Sequence, residues 1–242
     1  MKKVKTRSID ISAQIAQQIR DMIARGILSP GVHLIPTRLA EQIADMVARG
    51  NLAPGVSLSH ADDTAAFTVS RMPIREALKL LVGEGVIERD LNRGFFVASL
   101  SSDEASQLYQ LRRAIEARLL LTVVWPNAAQ LRQLRALKKA MQTFLDEGNL
   151  TQWLYKNREL HQMIFELSPR KILVREALRL WTLCDRYRSL LIATFSNNAM
   201  ADTEHLIDAL TKRDRERLIL RFEEDLALIE RNLLNVLAAR GL

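Results

Sequence analysis

Arg71, Arg75 and Lys79 stand at i, i+4 and i+8 in VSRMPIREALKLLVGEGVIERDLNRGFFV, residues 69–97. Side chains at that spacing share one helix face, and an arginine held there can bond guanine O6 and N7 with both arms of its fork. Ile74, Leu78 and Leu81 form a separate apolar stripe, suited to packing against a core. The chemistry on offer is the reading of base edges.

The elements that would hold these cations follow one another without a gap. Ser70 suits the N-cap, and Pro73 falls in the first turn, where a missing N–H costs no hydrogen bond. After Gly83 and Gly85 the period becomes that of a strand, Val86 to Arg89. Residues 90–94, DLNRG, then supply turn chemistry, and Phe95 to Val97 return as a second strand. Arg93 lies at the tip of this hairpin, where it can meet phosphate or the minor groove. A basic face on an isolated helix is ordinarily a solvated surface. Here the turn before it and the hairpin after it give the order of a winged helix.

The segment resembles the GntR family of bacterial transcription regulators, whose winged helix reads V-S-R-x-P-V-R-E-A-L, then L-x-x-E-G and N-R-G. The resemblance implies DNA contacts from Ser70, Arg71, Met72, Arg75 and Lys79 on the helix and from Asn92, Arg93 and Gly94 in the wing. Residues 108–116, LYQLRRAIE, are similar to the opening helix of the all-helical effector domain in the FadR subfamily. The implied fold is mainly α: an N-terminal winged helix-turn-helix with a small β-hairpin wing, then an all-α six-helix effector bundle. The expected division is a basic arm over 1–14, a DNA-binding domain over 15–100, and a ligand-binding and dimerisation domain over 101–242. The expected partners are an operator in double-stranded DNA, a small organic acid as effector, and a second copy of the chain. One short reading helix covers only a few base pairs, so a two-fold pair about one DNA turn apart is the natural working unit.

Composition says less. A chain of 242 residues, 48% hydrophobic, allows one or two domains with real cores. The net charge of +7 is compatible with nucleic acid, yet residues 1–100 hold 13 Lys and Arg against 10 Asp and Glu, so any DNA-binding surface must be local. The single cysteine, Cys184, excludes an internal disulfide framework. No apolar run reaches the roughly 18 residues of a membrane span, and MKKVKTRSID lacks the apolar core of a signal peptide. A cytoplasmic location is expected.

Residues 15–34, IAQQIRDMIARGILSPGVHL, recur 24 positions later as LAEQIADMVARGNLAPGVSL, with 13 of 20 positions identical. One winged domain needs a single such unit as its first helix, turn and strand. In one arrangement Leu39 to Leu58 supply it, His60 to Phe67 form the supporting helix, and residues 8–34 become an extra helix and strand. In the other, the N-terminal copy supplies it, Thr37 to Ala44 form the supporting helix, and residues 45–68 loop out. The first is preferred, because a 24-residue excursion inside a compact domain is uncommon. Its cost is Asp62 and Asp63 in the supporting helix, two carboxylates near a phosphate backbone.

Beyond Leu100 the pattern predicts helices near 102–124, 127–147, 150–167, 170–196, 202–212 and 214–239, the first opened by a Ser101–Glu104 capping box. Asn157 and His161 stand at i and i+4, where the resemblance implies ligands of a divalent ion. His205 and Asp225 fall at or near the two remaining family positions, and such a set of nitrogen and oxygen donors suits zinc, nickel or manganese. Arg112, Arg186 and Arg188 are candidates to pair with the acid effector, with interhelical salt bridges as the alternative role.

An enzyme is not indicated: the chain has no Gly-rich phosphate loop, no G-x-S-x-G and no H-E-x-x-H. The competing reading is a metabolite-binding helical protein whose operator recognition was weakened or lost through the duplication.

Overall fold

Ile15, Ile19, Met22 and Ile23 recur at helical spacing and bury one side of helix α1, Lys2–Ala24. The computed structural model of the chain describes residues 2–39, 42, 71–192 and 203–242, with backbone only at residues 2–11, 71, 188, 189, 191 and 192. Gly26, at φ 73°, ends α1. Its N–H bonds to the Ile23 carbonyl (2.9 Å) and that of Ile27 to the Met22 carbonyl (2.9 Å), a reverse turn that needs a left-handed residue. Strand β1, His33–Leu34, follows, and the backbone is helical again over 36–39.

Helix α2, Arg71–Gly83, leads into β2, Ile87–Asp90, and β3, Gly94–Val97. The three strands form one antiparallel sheet in the order β1-β3-β2, with His33 opposite Phe96, Leu34 opposite Phe95, and Asp90 opposite Gly94. Helix α1 packs on α2. Ile15, Ile19, Met22 and Ile23 share one core with Leu28, Leu34, Leu39, Ile74, Leu78, Leu81, Val86, Ile87 and Val97.

This assembly reverses the preferred reading of the repeat. The N-terminal copy provides the first helix and strand of the winged domain, so residues 8–34 are no appendage, and the basic residues expected as an arm over 1–14 are helical from Lys2. Two contacts made by positions that differ between the copies favour it. Arg20, replaced by Ala44 in the second copy, pairs with Glu84 at 2.6 Å, and His33, replaced by Ser57, stacks on Phe96 with ring centroids 4.8 Å apart. The expected supporting helix over 60–67, with Asp62 and Asp63, lies outside the described residues.

Leu100–Leu242 form a second compact unit, after a first that ends at Ser99. Its described helices are α3 (Ser102–Leu120), α4 (Ala128–Asp146), α5 (Leu150–Glu166), α6 (Lys171–Ile192), α7 (Glu204–Lys212) and α8 (Arg215–Ala239). The expected mainly α chain, a winged helix-turn-helix followed by a helical bundle, is the fold observed.

Two local expectations change. Helix α3 stops at Leu120 rather than 124, because the guanidinium of Arg215 takes the carbonyls of Leu120 (2.8 Å), Leu121 (2.7 Å) and Val123 (3.0 Å) that further helix would have used. Of the capping box at its start only half forms. Ser101 accepts the Glu104 N–H at 3.4 Å, while the Glu104 carboxylate turns to the hydroxyl of Tyr187 (3.1 Å) and the guanidinium of Arg186 on α6.

Candidate nucleic-acid interface and bundle interior

On α2 the two faces separate cleanly. Ile74, Leu78 and Leu81 are each 0% exposed, whereas Arg75 and Lys79 are exposed and Met72 is 72% exposed. Lys79 also donates to Glu76 at 2.8 Å, a surface pair between partners one helical turn apart. Arg71 opens the helix, but its side chain, and the expected cap Ser70, lie outside the described residues.

The hairpin tip is organised by Asp90, the first residue of the expected turn. Asp90 accepts the backbone N–H groups of Asn92 (2.8 Å) and Arg93 (2.9 Å), the geometry of an Asx turn. Those two bonds hold its carboxyl below the usual aspartate range. Their contribution to the turn is therefore present above that range and is lost as pH falls through the lowered value. The D-x-N sequence opening the turn was the available signal. Asn92 and Arg93 are exposed, and the Arg93 guanidinium lies 5.1 Å from the centroid of Phe96, the ring that His33 also stacks on. Gly94 has φ 101°, and a Cβ there would sit 3.0 Å from His33 Nε2, so this corner requires glycine. Between α2 and the hairpin lies a cleft of about 710 Å³ whose lining includes Met72, Arg75, Lys79, His33, Arg89 and Leu91.

Inside the second unit the central feature is a buried ion pair. Arg112 Nε donates to Glu116 Oε1 at 2.8 Å, and Trp181 Nε1 donates to the same oxygen at 2.8 Å. Arg112 and Glu116 are 6% and 1% exposed, and the guanidinium lies 4.6 Å from the Trp181 ring centroid and 5.1 Å from that of Tyr109. Burial works against the guanidinium charge, but Glu116, Cys184 and Tyr109 together raise its pKa above the ordinary arginine value. Burial pushes the Glu116 carboxyl up, opposed by Arg112 and Trp181. The signal for this pair was in the sequence: a charge of each sign at i and i+4 on a face otherwise set by Leu108, Tyr109, Leu119 and Leu120. Burial likewise raises Cys184, which keeps it a thiol rather than a nucleophilic thiolate.

Asn157 and His161 lie on one buried face of α5. His161 Nδ1 is 2.8 Å from the Asn157 carbonyl, and its ring packs against Trp181 (4.8 Å) and Phe222 (5.4 Å). The buried face of α7 is Leu206, Ile207, Ala209 and Leu210, which leaves His205 exposed, and on α8 the ring of Phe222 meets His161, with Asp225 half-buried one turn further along that helix. Among the described residues no three His, Cys, Asp or Glu side chains gather as a metal would require. His161, His205 and Asp225 therefore do not gather as one three-ligand set. Elemental analysis is expected to find well under one divalent ion per chain, unchanged by His161→Ala; a stoichiometric ion lost in that variant is the contrary result.

Of the remaining arginines, Arg186 is 2% exposed and pairs with Glu104, a contact that ties α6 to the start of α3. The side chain of Arg188 lies outside the described residues.

Comparison with known proteins agrees with both units. Residues 35–97 match the family of bacterial regulatory proteins, gntR family, and residues 107–226 match the FCD domain. The uncharacterized HTH-type transcriptional regulator YdhC of Bacillus subtilis is 27% identical over 64% of this chain and 59% of its own length, so the match spans less than two thirds of that relative. The uncharacterized HTH-type transcriptional regulator BphR of Paraburkholderia xenovorans is 28% identical over 66% of this chain and 69% of its own. Among solved structures, E. coli McbR/YncC has the same fold, with a TM-score of 0.76 over 93% of this chain and 97% of that one at 20% identity. The chain belongs to the GntR family, in the FCD-containing, FadR/VanR-like subfamily. The relatives it matches are HTH-type transcriptional regulators, and no helix among the described residues is long and apolar enough to cross a membrane.

Proposed function

We propose that two copies of the chain bind a pseudo-palindromic operator, each laying α2 in the major groove with Arg75 bidentate to a guanine edge. Ser70, Arg71, Met72 and Lys79 complete the reading helix, and Asn92, Arg93 and Gly94 bring the wing to phosphate or the minor groove. The observation that carries this reading is the exposure of Arg75 on a helix whose other face, Ile74, Leu78 and Leu81, is completely buried. Such a helix is rigid enough to aim a guanidinium. The half-sites would lie about 34–36 Å apart, one turn of DNA.

In the helical unit, the same proposal assigns a small organic acid as effector, with Arg112 as the buried cation that receives its carboxylate. Glu116 takes Nε of that guanidinium and the Cys184 thiol is a further hydrogen-bond partner, so a ligand carboxylate would use the remaining N–H groups of the fork. Effector binding would shift the population between dimers whose reading helices match the operator spacing and dimers whose helices do not.

Gel retardation on the DNA upstream of the chain's own coding sequence tests the operator claim. Sequence-specific, salt-sensitive retention supports it, and uniform weak binding supports a metabolite-binding protein that has lost its operator. Arg93→Ala is expected to weaken binding to all sequences alike and to lower the salt slope by about 1, as loss of one phosphate contact does. A change of preferred base in that variant would move Arg93 from the backbone to a base edge.

A further inference from the structure

The face of α2 that buries Ile74, Leu78 and Leu81 is covered by Ile15, Ile19, Met22 and Ile23, and Leu28 and Leu34 close the same core. Twenty-four positions on, the sequence repeats every one of these as an apolar residue of similar size: Leu39, Ile43, Met46, Val47, Leu52 and Leu58. The features that shape the first copy are repeated as well. Gly26 and Gly31, at φ 73° and 76°, return as Gly50 and Gly55, and Pro30 returns as Pro54. The residues matched by the gntR family, 35–97, run through the second copy, whereas the fold seats the first.

We propose that the apolar face of α2 and the edge of β3 that β1 covers accept either copy, so that residues 39–58 can take the place of residues 15–34. The two assemblies exclude one another through Leu39. In the structure Leu39 is 2% exposed in the same core, its N–H on the Ile35 carbonyl at 2.9 Å; seating the second copy moves it to the place of Ile15. Of the second copy, Leu39 and Gln42 are among the described residues.

The balance rests on the contacts that the repeat does not copy. Arg20–Glu84 at 2.6 Å and the His33–Phe96 stack at 4.8 Å hold the first copy, and Ala44 and Ser57 would make neither. Opposing them, the second copy joins α2 through a connection 24 residues shorter, which costs less chain entropy to close. The exchange also changes what precedes α2. With the second copy seated, the supporting segment would carry Asp62 and Asp63, which repel phosphate. That assembly holds DNA less tightly, and the duplication becomes a two-setting control on the reading unit.

Hydrogen exchange of the full chain, read by mass spectrometry without DNA, tests the exchange separately from the operator reading. The probes are Met22→Asp, Met46→Asp and the double variant, each placing a carboxylate where the seated copy buries a methionine. Met46→Asp is expected to leave residues 74–97 protected. Met22→Asp is expected to leave them protected too, while protection passes from residues 12–24 to residues 40–50. The double variant is expected to lose protection over 74–97 at least tenfold. Loss over 74–97 in either single variant, retention in Met22→Asp with no gain over 40–50, or a double variant as protected as the parent would each overturn the proposal.

Discussion

Arg75→Ala is expected to abolish sequence-specific operator binding while leaving the fold and weak general DNA binding in place. A bidentate arginine–guanine contact discriminates by about 1–3 kcal/mol, so a two-fold complex loses about 2–6 kcal/mol, from tens of fold to roughly 10⁴-fold in affinity. The side chain is exposed and its removal opens no cavity, because the core side of α2 is held by Ile74, Leu78 and Leu81. The measurement is a binding isotherm on operator and on scrambled DNA at fixed salt. Loss on the operator alone agrees with the proposal. Equal, small losses for Arg75→Ala and Arg93→Ala would remove the division of roles between helix and wing.

Arg112→Ala is expected to destabilise the helical unit by about 3–5 kcal/mol, the usual consequence of removing one member of a buried ion pair. Glu116 would remain 1% exposed with Trp181 Nε1 as its remaining hydrogen-bond donor, since Oε2 has no partner among the described residues. The three tryptophans, Trp125, Trp153 and Trp181, all belong to the second unit, so denaturation followed by tryptophan fluorescence reports on that unit without the first. Replacing both partners by apolar residues, Arg112→Met with Glu116→Leu, is expected to recover most of the loss, because neither charge is then left buried. A loss below about 1 kcal/mol in Arg112→Ala would show that the pair is solvated in solution, since about 0–1 kcal/mol is the range of exposed pairs. The same variant also bears on the effector: if Arg112 receives the acid, Arg112→Met/Glu116→Leu should fold yet no longer respond to it.

What the sequence disclosed followed the range of the interactions. The reading helix and wing were legible because their signals are local. Arg75, Lys79, the Gly83–Gly85 break and the turn over 90–94 lie within one segment, and the structure arranges them as a helix, a tip and two strands. Helix starts in the second unit were legible for the same reason, as at Asn127, whose side chain accepts the Gln130 N–H at 2.9 Å. The choice between repeat copies was not, since both carry the same apolar pattern and the contacts that separate them, Arg20–Glu84 and His33–Phe96, span 64 and 63 positions.

The interior of the bundle was legible only in part. The i, i+4 spacing of Asn157 and His161 put both on one face of α5, as observed. Bringing His205 to them depends on the rotation of α7, and that rotation is set by which four of its nine residues are apolar and buried. On α8 the residue whose ring packs on His161 is Phe222, which only the fold could show. Glu116 was overlooked because a carboxylate in an apolar stripe reads as a surface residue until its partner, Arg112, is seen buried beside it.

The central claim, that α2 reads base edges through Arg75, is tested most directly by guanine N7 methylation interference on the retained DNA, comparing the parent chain with Arg75→Ala. Methylating one guanine in each half-site is expected to block the parent, and residual binding by the variant is expected to be indifferent to it. Parent binding that tolerates methylation at every guanine, and responds only to modification of phosphates, would contradict the claim.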